Sequence, residues 1–452
     1  MIKKVFKMLL TFIAVIIVLV IVLLAISLRL VDSRHYSETD YYRNTVARID
    51  SILAGRADKS ETQLFLGAGK AGITPQVGVP LAGYGARKGA PSTGVHDSLF
   101  VRVLAVEAGE QQAFIIGYDA LLLHPPIARR LEAKVKNQFA IPAEQLYFTA
   151  THTHSGPGGW GESWLDQQFA GPPDSTVSVI LIDSTLAALK RAIKNKKAAS
   201  FTAQKVDAPR FIRNRLVGEQ GQVDDDLFLI SFWQNNMCAG ALATYSAHAT
   251  VMSANNMALS GDYPGTFERK LENTLNSTVL FAAAGLGSHS NRSKGQGFDR
   301  AAFVGEGLAD SALVHIHDQS PQSRVTLRAF RIPVDLAKPQ VRLTQKICLA
   351  PWLAKKLLHP NQCYLQVVAL NDFVLIGSPG EFSGELALRV KTTASEEDKL
   401  VSITSFNGCY IGYVTPSEYA SMDEYETKIM SWFGANTGDY LTDLMQQILR
   451  KL

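Results

Sequence analysis

Residues 149–159 read TATHTHSGPGG. They follow Leu146, Tyr147 and Phe148, residues that favour an extended chain. The stretch sets His152 and His154 one residue apart and then enters a glycine-rich loop. In a strand, residues i and i+2 share a face, roughly 6.5–7 Å apart. Both imidazoles then face one cavity if the strand persists. The Gly-Pro-Gly-Gly run lets backbone approach a ligand closely. Alone, the pair fits a metal site, a proton relay or a hydrogen-bonded strand end. A second pair, His315 and His317 in VHIHDQ, has Asp318 beside it but no glycine loop, and reads as the end of a surface element.

Outward from that stretch, strand-like runs recur: LFVRVLAVE, QQAFIIGYDA, QLYFTAT, DLFLISFW, AGALATYSAH, TVLFAAA, RVTLRAFRI, YLQVVALNDFVLIG and LVSITSF. Helical stretches lie between several, among them IARRLEAKVKNQFA, DSTLAALKRAIKN, GTFERKLENTL and GELALRVKTTA. Alternation of this kind predicts an α/β fold. Short links such as VEAGEQQAF make the sheets mixed. The expectation is mixed β-sheets flanked by helices in a single large catalytic domain, residues 64–452.

An N-terminal transmembrane helix precedes it. The apolar run from Met8 or Leu9 to Leu28 is broken only by Thr11 and Ser27. That is about the 20 residues a bilayer needs, and longer than a signal-peptide core. Lys3, Lys4 and Lys7 outnumber the cations just after it, which favours a cytoplasmic start and an exported remainder. Residues 1–30 therefore read as a single-pass anchor. Residues 31–63 read as an amphipathic stalk helix, YYRNTVARIDSILAG with Gly55 as C-cap, and a polar linker, RADKSETQ.

The net charge of +4 is spread along the chain, and no basic run interleaves with aromatics, so no nucleic-acid partner is expected. Cys238, Cys348, Cys363 and Cys409 form no CxxC pair, which argues against a zinc ribbon. In an exported protein Cys348 and Cys363 are placed to close a short disulfide loop, against the alternative of buried thiols. LFLGAGKAGIT lacks the first glycine of a phosphate loop, so its glycines are read as a turn entering the first domain strand.

A metal site needs ligands beyond the histidine pair. His248 ends a strand in ATYSAHATVMSANNMALSGDYPG, where Asp262 and Pro264 read as the opening of a helix, with Asp262 as N-cap. Glu381 follows a strong apolar strand and a Pro-Gly turn in FVLIGSPGEFSGELALRV. NGCYIGYVT supplies Tyr410 and Tyr413.

Taken in order, THTHSGPGG, HATVMSANNMALSGD, SPGEFSGELALR and YIGYVTPSEY resemble the signature segments of the neutral (non-lysosomal) ceramidase family. These are zinc amidases that cleave the N-acyl bond of ceramide. AGITPQVGVPLAGYGARKGAPSTGVHDSLFVRVLAVE and FIRNRLVGEQGQVDDDLFLISF are similar to that family's start and middle, and the resemblance runs from about Ala71 to Thr437. It implies His152, His248, Glu381 and Tyr413 as ligands of one Zn2+, with Tyr410 the fallback. It implies His154 facing the substrate amide, Arg215 lining the site and Tyr425 near the scissile group. The implied function is a membrane-anchored, zinc-dependent hydrolysis of ceramide or a related N-acyl lipid. Alternatives are a zinc hydrolase of the same fold acting on another N-acyl amide or an ester, and a catalytically silent lipid- or glycan-binding surface protein.

The sequence departs from the family at AAAGLGSHSNRSK. The family's Gly-Asp-x-Ser-Pro-Asn keeps only its glycine (Gly285) and serine. Leu286, His289 and Ser290 stand at the other positions. Ser288 matches the serine that contacts the reacting group, with Ser290 as second choice. No G-x-S-x-G elbow exists, which disfavours a serine-hydrolase mechanism. The C-terminal sandwich-like domain of typical members is expected to be missing or reduced.

Overall fold

The structure, a computed structural model, describes residues 2–54, 60–358 and 363–452. Two sheets pack face to face. The larger runs in the order Thr278–Ala283, Met237–Tyr245, Asp226–Gln234, Lys197–Asp207, Thr62–Gly72, Phe100–Ala108, Gln111–Tyr118, Leu146–Ala150. The smaller has four strands, Leu327–Val334, Cys363–Leu370, Phe373–Gly377 and Leu400–Thr404. Leu66, Leu104, Ile115 and Phe232 from one sheet meet Ala329, Val368 and Leu375 from the other in a buried apolar interior.

Helices cover both outer faces. Pro125–Phe139 and Ser175–Lys194 lie on one half of the large sheet, Asp262–Leu275 and Asp299–His315 on the other. Gly384–Glu396, Thr437–Lys451 and Asp40–Ala54 cover the small sheet, with Ile49, Leu53 and Leu444 buried in the shared core. The fold is thus a four-layer αββα sandwich of mixed sheets, preceded by the apolar helix Ile2–Ser27, none of whose residues is buried.

Within the two main sheets, the described residues form three parallel strand pairs: Gln111–Tyr118 with Leu146–Ala150, Met237–Tyr245 with Thr278–Ala283, and Phe373–Gly377 with Leu400–Thr404. Parallel partners end at the same sheet edge, where α/β folds place ligands. The loops after these strands carry Leu121, His152, His248, Leu286, Glu381 and Phe406.

Several local expectations change. Gly67 and Gly69 sit inside the strand Thr62–Gly72, not in a turn. A Cβ there would collide with the carbonyl oxygens of Ala192 and Ala188, so the glycines let Ser175–Lys194 press onto the strand. Asp262 is the first residue of its helix, at φ +55°, and its carboxylate accepts from the Met252 and Tyr263 amides instead of capping. Cys348 and Cys363 remain separate thiols. Cys348 lies on the strand Ile347–Leu349, which pairs with Leu28–Leu30, whereas Cys363 starts a strand of the small sheet. Gly55 and the first residues of the linker, 56–59, lie outside the described residues.

Candidate active site

The strand Leu146–Ala150 ends before the histidines. His152 sits at φ +59°, a left-handed conformation rarely adopted by residues other than glycine. The two rings therefore meet through a loop, not through strand alternation: their Nε2 atoms are 3.2 Å apart. The glycines that follow serve backbone packing instead of a ligand. A Cβ on Gly158 would meet the Pro80 and Ala170 carbonyl oxygens at 2.7 and 2.5 Å.

His152 Nδ1 donates to the Leu121 carbonyl at 2.8 Å, and its ring stacks on Phe406, centroids 4.3 Å apart. His248 Nδ1 donates to the Leu286 carbonyl at 2.8 Å and the His289 carbonyl at 3.1 Å. Those bonds commit each Nδ1–H to a carbonyl and leave Nε2 as the ring atom that faces the site. Both Nε2 atoms turn toward Glu381, whose Oε2 is 3.0 Å from His248 Nε2 and 3.6 Å from His152 Nε2. The Tyr413 hydroxyl is 3.3 Å from His248 Nε2, and Tyr410 donates to Glu381 Oε1 at 2.6 Å.

Donors held about 2.0–2.1 Å from one tetrahedral centre stand about 3.3 Å from each other. The spacings of 3.0 to 3.6 Å match that edge. The donor set fits a metal ion. His154 belongs to the same cluster, within 4.8 Å of His152 and His248 ligand atoms. It differs in one respect: its buried Nδ1 has no hydrogen-bond partner among the described residues, and its only ring contact of that kind is through Nε2 to His152.

Burial alone would raise Glu381, but the His152 and His248 imidazoles outweigh it and hold the carboxyl well below its usual range. Burial, then the Arg215 charge, pushes His248 down to about 3. Burial, then His152 and His248, holds His154 well below the ordinary histidine range. Burial, then Glu381, raises both Tyr410 and Tyr413 well above the ordinary phenol value.

The cluster floors a cavity of about 440 Å³ with walls from Leu121, Trp160, Phe169, Leu358, Met430 and Trp432. Arg215 lines it, donates to the Tyr413 hydroxyl at 3.0 Å and pairs with Glu426 at 3.1 Å. Tyr425 lines it too, partly open to solvent, its ring edge-on to Tyr413 at 5.8 Å.

Ser288 is elsewhere. Its fully buried hydroxyl donates to Glu385, accepts from Ser383 Oγ at 2.9 Å and the Gly384 amide at 3.2 Å, and lies 2.9 Å from His289 Nδ1. It does not line the cavity. Ser290 accepts from Arg213 Nε at 3.1 Å. His315 ends a helix beside Asp318, and His317 packs by Trp233, both away from the cluster. Sequence reading missed Tyr84, His124, Phe406 and Glu426, which lie in or against the cavity wall. None carries a local motif.

Backbone-anchored imidazoles, a carboxylate and two phenols beneath an apolar cavity define a candidate metal centre on an αββα scaffold. Comparison with known proteins then gives the family. The description "Neutral/alkaline non-lysosomal ceramidase, N-terminal" matches residues 64–297, over half of the 452-residue chain. The chain belongs to that family. Neutral ceramidase of Pseudomonas aeruginosa is 25% identical across 48% of this chain and 35% of its own length. Neutral ceramidase of Drosophila melanogaster is 26% identical across 54% of this chain and again 35% of its own length. The chain thus matches about a third of the length of these curated relatives. The crystal structure of the Pseudomonas aeruginosa neutral ceramidase shares the fold, with a TM-score of 0.72 at 18% identity, over 87% of this chain and 74% of that one.

Proposed function

We propose that this chain is a zinc-dependent amidase that hydrolyses the N-acyl bond of ceramide or a related N-acyl lipid to a fatty acid and an amine. In this reading residues 1–30 anchor it in a membrane with the remainder exported, residues 31–63 connect, and residues 64–452 are catalytic. One observation carries the proposal. His152 and His248 each commit Nδ1–H to a carbonyl and turn Nε2 toward Glu381 at the floor of an apolar cavity.

His152, His248, Glu381 and Tyr413 would hold the ion, with Tyr410 the alternative phenol. When bound, zinc supplies Lewis-acid polarisation and brings the pKa of water toward neutrality. His154 is kept neutral by burial. A neutral imidazole there accepts the proton released as the water oxygen bonds to the amide carbon. It returns that proton to the nitrogen as the C–N bond breaks, so acid and amine leave in balance. The Tyr425 hydroxyl donates to the carbonyl oxygen as negative charge grows on it. Arg215 holds the Tyr413 phenol against His248. Ser288 acts at one remove: its carbonyl accepts the Arg215 amide at 2.8 Å, which positions that arginine. The apolar walls take the acyl chain and exclude water.

Metal analysis of the purified chain tests the proposal. The expected result is about one zinc per chain, lost together with hydrolysis in His152→Ala and His248→Ala. Undiminished hydrolysis by metal-free protein would overturn it. A panel of N-acyl lipids, read by released fatty acid, resolves the substrate. Turnover of N-acyl amino acids with ceramides inert would remove the ceramide assignment and keep the amidase.

A further inference from the structure

The last turn of an α-helix leaves its carbonyls without intrahelical donors. At the end of Ile2–Ser27 the folded domain supplies those donors. The Trp352 indole N–H donates to the Ile26 carbonyl at 2.8 Å and the Ala350 amide to the Ser27 carbonyl at 2.7 Å. Arg29 closes the Ala25 carbonyl at 2.6 Å. Leu28–Leu30 then pairs antiparallel with Ile347–Leu349, and the Asp32 amide donates to Gln340 Oε1 at 2.7 Å. The apolar helix is therefore docked to the domain, not tethered by loose chain.

The docking element leads to the cavity. Trp352 lies on the short helix Pro351–Leu357, and Leu357 and Leu358 line the cavity. Five residues of helix rise about 7–8 Å, so the cavity wall begins within about that height of the apolar helix's end. The Gln340 backbone N–H also donates to the Trp432 carbonyl at 2.6 Å, which ties the same segment to another wall residue.

Beneath the surface at this junction lies a small apolar cluster. Leu358, Met430 and Trp432 cluster with Leu165 and Phe169. Beside members of that cluster in the chain stand Trp164, 64% exposed, and Ile429, 58% exposed, with Trp352 46% exposed on the docking helix. Trp164 and Trp352 are the large exposed tryptophans among the described residues. Tryptophan is the residue favoured at the membrane–water interface. Lys346, Lys355 and Lys356 stand nearby and form no ion pair among the described residues, so they suit the lipid phosphates at that level.

We propose that Trp164, Trp352 and Ile429 form a membrane-contacting rim that sets the cavity mouth into the interface of the exported leaflet, so that substrate enters sideways from the bilayer. The entry route rests on the reading of the cavity as an N-acyl lipid site; the seating of the rim does not. The occupant is the bilayer because the helix that docks here is itself long and apolar enough to cross one.

The test uses the full chain in vesicles of phosphatidylcholine and phosphatidylglycerol whose acyl chains carry bromine near the headgroup. Bromolipid should quench tryptophan emission, and the Trp164→Phe/Trp352→Phe variant should lose most of that quenching. Equal quenching in the variant and the unmodified protein overturns the rim, whatever the hydrolysis result. In a second arm, Trp164→Asp/Ile429→Asp should slow hydrolysis of a long-chain ceramide in vesicles about tenfold, as lost interfacial burial predicts, while a short-chain, water-soluble ceramide is cleaved as before. Equal slowing on both substrates overturns lateral entry. Failure of the unmodified protein on either substrate strikes the amidase reading, and quenching still decides the rim.

Discussion

Arg102 links the core to the candidate site, and its replacement has a calculable cost. It is fully buried on the strand Phe100–Ala108. Its guanidinium meets Asp119 at 2.9 Å, Glu268 at 2.8 Å and Glu272 at 2.9 Å. Burial, opposed by Arg102, raises Glu268 well above the usual carboxyl range. Lys70 still holds Glu272 at 2.6 Å. Arg102→Met therefore leaves chiefly the Asp119 carboxylate without a cation, with the Phe100 amide still donating to it at 2.8 Å. Stripping one partner from a buried pair costs about 3–5 kcal/mol, and Lys70 places this case toward the lower end, about 3. Urea unfolding of the full chain in detergent, followed by tryptophan fluorescence, should show a midpoint lower by up to about 1 M. Asp119 also stands two residues before Leu121, whose carbonyl holds His152, so the variant should release zinc more readily. Arg102→Met/Asp119→Leu removes that charge and should recover most of the loss. If that double variant is as unstable as the single one, the cost lies in packing and the electrostatic argument is refuted.

Three further predictions follow from the site. Tyr413→Phe should strip zinc and hydrolysis together, whereas Tyr410→Phe, which only frees Glu381 Oε1, should weaken metal affinity about 10–100-fold as an outer partner does; a titration showing the reverse order refutes Tyr413 as ligand. Ser288→Ala should cost about 1–3 kcal/mol in unfolding free energy through its broken buried network, with kcat of the folded enzyme little changed; a stable protein with kcat down about 100-fold would put the hydroxyl among the reacting groups instead. Metal-free protein should lose stability on acidification. His248 is neutral in the fold down to about 3 but takes a proton near 6.5 when unfolded. The unfolded chain thus binds more protons across that window, so stability rises with pH there. His248→Leu should flatten the slope by up to about 1.4 kcal/mol per pH unit, and an unchanged slope in urea titrations would refute the neutral assignment.

Much of the scaffold is legible in the sequence because its cause is local. Every strand named from apolar runs is found, from Phe100–Ala108 to Leu400–Thr404. The strand Lys197–Asp207 escapes because KAASFTAQKVD is largely small and polar, and its neighbours recruit it by hydrogen bonding. The helix Asp299–His315 escapes because Gly305 and Gly307 depress its propensity. They are there to admit neighbours: a Cβ on Gly305 would collide with the Tyr263 carbonyl, and one on Gly307 with the Phe211 ring.

By itself the sequence determined the apolar helix, the sheet-and-helix alternation and the types of side chain that reach the site. These depend on the order of residues over a few turns or strand lengths. Only the tertiary structure decided which groups meet and how they point. His248 and Glu381 are 133 residues apart yet 3.0 Å from each other. The left-handed backbone at His152, the carbonyls that hold two Nδ1–H groups and the turn that buries the Ser288 hydroxyl each arise from contacts between distant segments. Hydrogen-bond direction is set by where the partner's backbone lies, and no local pattern carries that information.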